Sequence, residues 1–582
     1  MKKNSEQLKN STKNIWNIRL IRFLTLLAAG AILYYFMLPP LNLKSMDCWF
    51  YLAILALLYL VIYYISEASR TSSSPIVVSK RGVTIQTGKG RASKKPLLVL
   101  VALILIPLLF YLIGSSRFLH ARKYSRILEV SDGTVESIPS VEKTSTIALM
   151  DTASAEKLGN REIGTLYGVV SQYNVSSYTQ IDYQGTPVKV SPLRYDGFFK
   201  WYRNRENGVP GYVIVNPVSM EADYIALKEG MTYVPSACFG ENLSRYIRFH
   251  YPTIMFDNLH FEIDEDGNPW YVASVYDHTV GLLGGEQVTG AILVNPVNGE
   301  IQSIPAGEVP TWVDVVFPGD LICTQYNDYA QLHEGFWNSV FGQSGCRKVT
   351  EYQSGDEEDD TYYSDYGYIA KDGDIWIYTG VTSLNNDSSN IGFILSNERT
   401  EETIFIPCSG ADEFSAMASA EGEVQEKRYT ASFPSLILLN DRPAYIMVLK
   451  DASGLVKMYA CVNVEQYNMV ATAGTQEECI AKYEALLSGR ISQAQATSEE
   501  PQAEIAGSVI EENAADLSEF EQREIVIKKL QTIDRDGNTY MYVVDSENRI
   551  YHAKYTDVIQ MLLTEEGDSI TILTDGERFV LE

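Results

Sequence analysis

Two patterns of apolar and polar residues divide the chain. Near the N-terminus, three runs carry no charge: Phe23–Leu38, Cys48–Ile65 and Leu97–Gly114. At ~1.5 Å per helical residue, each is about long enough to cross ~30 Å of hydrocarbon. The first is the shortest and borrows Leu20 and Ile21 to span. Pro107 inside the third predicts a kink, not a break. Three such runs with basic flanks argue against a buried core helix. Two spans follow the first run and no small-residue cleavage site ends it, which argues against a signal peptide.

Beyond residue 126 the period changes. Short apolar segments alternate with polar positions and are broken by Gly, Asn, Asp and Pro, the pattern of strands and turns. "AILVNPVNGEIQSI" (Ala291–Ile304) predicts strand, turn, strand, and "GYVIVNPVSMEADYI" (Gly211–Ile225) nearly repeats it. Asn298-Gly299 tolerates the positive φ that tight hairpin turns require. Ahead of these stand "GNPWYV" (Gly267–Val272) and "GTPVKV" (Gly185–Val190), 82 residues apart, while the two Asn-Pro sites are 79 apart. "DRPAYI" (Asp441–Ile446) followed by "CVNVEQYNMVAT" (Cys461–Thr472) is a further copy. "GDIWIY" (Gly373–Tyr378) with "GFILSNERTEETIFI" (Gly392–Ile406) is a degenerate one. "YPTIMF" (Tyr251–Phe256) matches "FPSLIL" (Phe433–Leu438), and "GENLSRYIRFH" (Gly240–His250) predicts a short backing helix. This spacing predicts small α+β modules in tandem. If function is local, it belongs in what differs between copies, such as Ser191–Val209 and Tyr276–Gly290.

Thr475–Gly489 predicts a helix, with Thr475 and Glu478 as a capping box and Gly489 as the C-terminal cap. Arg490–Phe520 has no aromatic until its last residue and reads as a linker. The final segment orders as strands Glu524–Ile533, Thr539–Val544 and Arg549–Lys554, helix Tyr555–Thr564, then strands Asp568–Leu573 and Glu577–Leu581. That is the order of an OB-type barrel. The fold class is therefore α+β. The expected domains are a membrane segment (1–116), modules at 117–238, 239–350, 351–410 and 411–489, a linker (490–521) and a barrel (522–582).

Charge adds topology. Residues 1–126 hold 18 basic against three acidic residues, a net of +15; the formal charge of the whole chain is −27, which leaves −42 for the remainder. So acidic a body repels phosphate backbones, which excludes nucleic acid as its partner. The N-terminus and the loop after the second run, with Arg70, Lys80, Arg81, Lys89, Arg91, Lys94 and Lys95, are the basic segments. The positive-inside rule places them in the cytoplasm and the body outside. Arg117, Arg122, Lys123 and Arg126, just after the third run, resist that rule. "PIVVSKRGVTIQTG" (Pro75–Gly88) in the basic loop predicts a hairpin.

Candidate chemistry is sparse. Asp356, Glu357, Glu358, Asp359 and Asp360 form the densest acidic run and are the one candidate for calcium. "DEDGN" (Asp264–Asn268) and "DRDGN" (Asp534–Asn538) resemble calcium loops but read as hairpin turns. "GQSGC" (Gly342–Cys346) lacks the closing glycine of a nucleophile elbow. Cys238, Cys323, Cys346, Cys408, Cys461 and Cys479 permit up to three disulfides in 15 connectivities, or buried thiols. His250, His260, His278 and His333 form no metal motif; a hydrolase would need one of them to converge with a carboxylate. The 38 tyrosines read as strand-face filling.

"DEDGNPWYVASVYD" (Asp264–Asp277) followed by "AILVNPVNGEIQSI" resembles PepSY-type domains, over about 60 residues. The resemblance implies an extracytoplasmic, non-catalytic module of regulatory or inhibitory character, and it marks no functional residue. The expectation is a membrane-anchored binding, assembly or regulatory protein of a bacterial envelope. It would sit in the cytoplasmic membrane, with another envelope protein or peptide as partner and no cofactor beyond possible calcium; the oligomeric state is open. The alternatives are an envelope hydrolase with a dispersed site, and a sensor or transport subunit signalling through its spans.

Overall fold

A long apolar run with no charged side chain satisfies its backbone most readily as a helix, and all three runs are helical. In the computed structural model these are Lys2–Met37, Met46–Ser72 and Lys95–Leu109, the last continued by a π-turn at Phe110–Gly114. The structure describes residues 2–72, 76–79, 82–85, 94–140, 149–166, 168–353, 362–364, 366–384, 389–498, 521–535, 538–547, 549–554, 558, 564, 567–574 and 579–581. Leu20–Met37, Met46–Ile65 and Lys95–Gly114 are long and apolar enough to cross a membrane. Leu24, Leu27, Phe36, Phe50, Leu98 and Ile113 are exposed on them, a surface suited to hydrocarbon and not to water. The third helix continues past Pro107 and changes hydrogen-bonding pattern only at Phe110, where Ser115 N–H reaches its carbonyl at 2.8 Å. Ile76–Ser79 and Gly82–Ile85 pair as the expected hairpin.

Chain direction puts the loop 38–45 and the end of the third helix at one end of this group. That end is docked on the body. Leu41 N–H donates to the Pro252 carbonyl at 2.7 Å, and Arg248 Nε to that of Leu38 at 3.0 Å. Lys44 Nζ pairs with Asp277 at 2.5 Å, and Leu283 N–H donates to Ser115 Oγ at 3.1 Å.

The body repeats one plan: a helix, then an antiparallel meander. The helices are Thr152–Thr165, Leu243–His250, Gly319–Leu332 and Glu413–Glu423. The second strands of the meanders are Thr186–Tyr195, Pro269–Val280, Asp374–Ser383 and Arg442–Lys450, each preceded by one of the turns noted in the sequence. The last two strands of each sheet are joined by an asparagine turn. Asn216, Asn295, Asn397 and Asn463 each cap that turn, with Oδ1 accepting backbone N–H groups of the residues that follow. The third sheet starts at Arg347, ahead of the boundary expected at 351, and takes in Val130–Asp132 as a parallel edge strand.

Successive sheets pack face to face. Val190, Val213, Phe261 and Ile292 join the first to the second, and Tyr378, Phe393, Tyr445 and Met447 join the third to the fourth. Between the second and third lies the helix Gly319–Leu332, through Ile322 and Tyr326. An Asp151–Lys450 ion pair ties the fourth sheet back to the start of the first module. The outer face of the fourth sheet is covered by Gln476–Leu487, whose cap Thr475 accepts from Glu478 N–H at 3.3 Å. Arg490–Ser498, assigned by composition to the linker, packs here too: Gln493 bonds both ways with the Val470 backbone and Ala496 is buried.

The described residues from Glu521 onward belong to a second compact unit. Its strands are Glu521–Arg535, Asn538–Asp545, Ile550–Lys554, Ser569–Thr574 and Phe579–Leu581. The long first strand pairs with one partner along its first half and another along its second, across an irregularity at Ile527–Lys529 that bends it. The result is a curled half-barrel sheet around Ile525, Ile527, Val543, Tyr551 and Ile572. Of the helix expected at Tyr555–Thr564, only Val558 and Thr564 lie among the described residues.

Candidate functional site where the apolar helices meet the body

The second sheet has one face against the helix Gly319–Leu332. Along the strand Pro269–Val280 that face begins apolar, with Trp270 and Val272, and then turns polar: Ser274, Tyr276, His278. Two β-bulges bracket the change. One lies at Asn258, held at φ +50, where the strand Met255–Ile263 gains a residue against its partner. The other falls at Thr289. Bulges re-aim side chains. Here they set Asp257 directly across from Ser274, while Glu286 lies across from His278.

The polar row and the helix do not close on each other. Between them lies a cavity of about 800 Å³. Its opposite wall carries Asp320, Thr324, Gln325 and Asp328, and its rim includes Tyr111 and Leu112 of the third apolar helix. Arg117 spans the edge, gripping Asp328 with Nε–Oδ1 at 2.6 Å and a second contact at 3.2 Å. That pairing accounts for one of the basic residues that resisted the loop-charge rule.

Electrostatically the cavity is acidic. Burial and then the charge of Asp257 push the Glu286 carboxyl above its ordinary range. Burial lowers His278 and raises Tyr276 to about 12. Ser274 Oγ and Gln325 Oε1 have no hydrogen-bond partner although both residues are only 3% exposed. Unsatisfied buried polar atoms cost about 1–3 kcal/mol each, so they mark a place built for something else. The arrangement offers hydrogen-bond acceptors and negative charge. It offers no assembled nucleophile: Ser274 and His278 are four residues apart on one strand, roughly 13 Å.

The other candidates fall elsewhere. Asp356–Asp360 lie outside the described residues, and among the described ones no group of three or more His, Cys, Asp or Glu could hold a metal. Asp264 is consumed by its own turn, accepting from Asp266 N, Asn268 N and Trp270 Nε1. Gly342–Cys346 leads from a π-turn into a strand, the reverse of the strand-to-helix order of a nucleophile elbow. His260 holds Glu262 at 2.8 Å, but that carboxylate also receives Asp314 N and Val315 N, a structural use. His250 packs at a tilt against Tyr246, and His333 edge-on against Tyr329, each one helical turn away. All seven cysteines are free thiols, with Cys461 and Cys479 sulfurs 3.4 Å apart.

No family model matches the chain, and no curated protein does. Among solved structures, an exo-β-1,3-galactanase from Clostridium thermocellum is 9% identical, covering 70% of this chain and 72% of that one with a TM-score of 0.18. An ancestral GH74 enzyme is 10% identical with a TM-score of 0.14, over 66% of this chain and 42% of that one. Likeness at this level carries no functional conclusion.

Proposed function

We propose that the chain is a non-enzymatic, membrane-anchored binding protein of a bacterial cell envelope, with its body outside the cytoplasmic membrane and its N-terminus inside. The observation that supports this most is the cavity, framed jointly by the second module and the third apolar helix, with acceptors left unsatisfied. The PepSY-type resemblance of that same module favours a binding or regulatory role. The basic loop and N-terminus favour the orientation. The C-terminal half-barrel, read as an OB-type element, is an accessory contact domain.

Thr324 is exposed in the cavity wall and suits a photo-crosslinking residue. Placed there in cells, it is expected to capture a specific ligand or envelope partner, while protease added to intact protoplasts digests Ile127–Glu582. A protected body, or no specific adduct, overturns the proposal. A second reading, signalling through the spans, is favoured by Tyr111 and Leu112 at the rim. It predicts that exchanging the three helices for an unrelated anchor abolishes function.

A further inference from the structure

The walls of the cavity supply negative charge without an answering cation. Asp257, Glu286 and Asp320 have no basic partner among the described residues. Arg117 is taken by Asp328, and Lys44 by Asp277 and the carbonyl of His278. Of the three, Glu286 is the half-buried one, and a carboxylate held there is costly unless a cation joins it; Asp257 and Asp320 are exposed and add negative charge at the mouth. An anionic ligand would meet repulsion. A divalent metal would need a tighter set of ligands than the described residues provide. An ammonium group fits better: it is compact, singly charged and carries N–H donors for carboxylates, Gln325 Oε1 and Ser274 Oγ.

The other end of the cavity is apolar. Tyr111 and Leu112 belong to the third apolar helix, and the ring of Phe118 packs on Phe336 at 5.2 Å beside them. A volume of about 800 Å³ holds a headgroup with several carbons. We infer that the cavity takes the ammonium head of an amphiphile drawn from the lipid surface, seated between Asp257 and Glu286 with its alkyl chain leaving along Tyr111 and Leu112. This rests on the reading of the cavity as a binding site.

The test uses the full chain in nanodiscs of neutral lipid, labelled with photoreactive decylamine, decyl sulfate, decanol and propylamine probes, and the modified peptides are mapped. The decylamine probe is expected to label peptides containing Asp257, Ser274–Glu286 and Asp320–Asp328. Asp257→Asn with Glu286→Gln should cut that labelling at least tenfold, and Glu300→Gln, outside the cavity, should not. Equal labelling by the sulfate or the alcohol overturns the ammonium assignment while leaving a binding cavity. Equal labelling by propylamine overturns the lipid source. No cavity labelling by any probe overturns both the inference and the binding reading beneath it.

Discussion

The interface between the third and fourth sheets and the junction between the second sheet and the apolar helices are made from the same repeated unit, yet they end in opposite states. At the first, Tyr378, Phe393, Tyr445 and Met447 are fully buried, and the fourth sheet's second strand is buried from Pro443 to Leu449. At the second, the corresponding strand turns polar at Ser274, two bulges redirect its neighbours, and about 800 Å³ stays open. The shared plan gives stability; the departure from it makes room for chemistry.

Equal insults should therefore have unequal effects. Phe393→Ala at the closed interface should cost ~3–5 kcal/mol in denaturant unfolding, because close-packed neighbours cannot refill the space. Leu321→Ala at the cavity wall should cost only roughly 1 kcal/mol. Matching losses would mean the cavity is closed in solution.

The outer face of the fourth sheet should also be lockable. Cys461 and Cys479 are buried with their sulfurs 3.4 Å apart, between the fourth sheet and its covering helix. In an oxidising compartment, each thiol gives up one hydrogen to an oxidant such as a quinone-linked disulfide exchanger, and an S–S bond forms. Closing this loop should add ~3 kcal/mol. Intact mass and unfolding with and without reductant report it; alkylation of both thiols without prior reduction would contradict it.

A pH-dependent effect follows from Glu398, buried in the asparagine turn of the third sheet with one carboxylate oxygen unpartnered. Burial pushes its carboxyl up to about 8. The folded state then holds a proton that the unfolded chain releases above its ordinary value of 4.5. The associated stability is present below that value and is lost as pH rises toward about 8, at roughly 1.4 kcal/mol per pH unit at most. Glu398→Gln should flatten the decline between pH 5 and 8 in thermal melts; an unchanged slope would show that Glu398 does not titrate this way. Smallest of all, Asp257→Asn should move stability by less than ~0.5 kcal/mol, or raise it by relieving Glu286. Loss of several kcal/mol would make the cavity a structural element.

Much of the scaffold was legible because it depends on short-range chemistry. The asparagines of the repeated turns cap their own loops, and the apolar runs need no partner to be recognised. The copy-specific segment Tyr276–Gly290 does furnish one wall of the cavity. Its partners could not be read from the chain. Asp257 lines the cavity, exposed at its mouth, because of a bulge whose only local trace is Asn258 at positive φ, and Gln325 arrives on a helix more than thirty residues later. Arg117 is explained by an aspartate 211 positions away. The composition of Arg490–Ser498 gave no hint that Gln493 would bond to the Val470 backbone.

The loop between the first two apolar helices and the second module form one built junction. Lys44 and Asp277 lie 2.5 Å apart across it, both partly exposed. Carbodiimide treatment of intact membranes, followed by peptide mapping, should find an amide bond joining Lys44 to Asp277, absent in Asp277→Asn. A Lys44 that couples to other carboxylates or not at all, while Asp277 remains free, would contradict the junction and the site built on it.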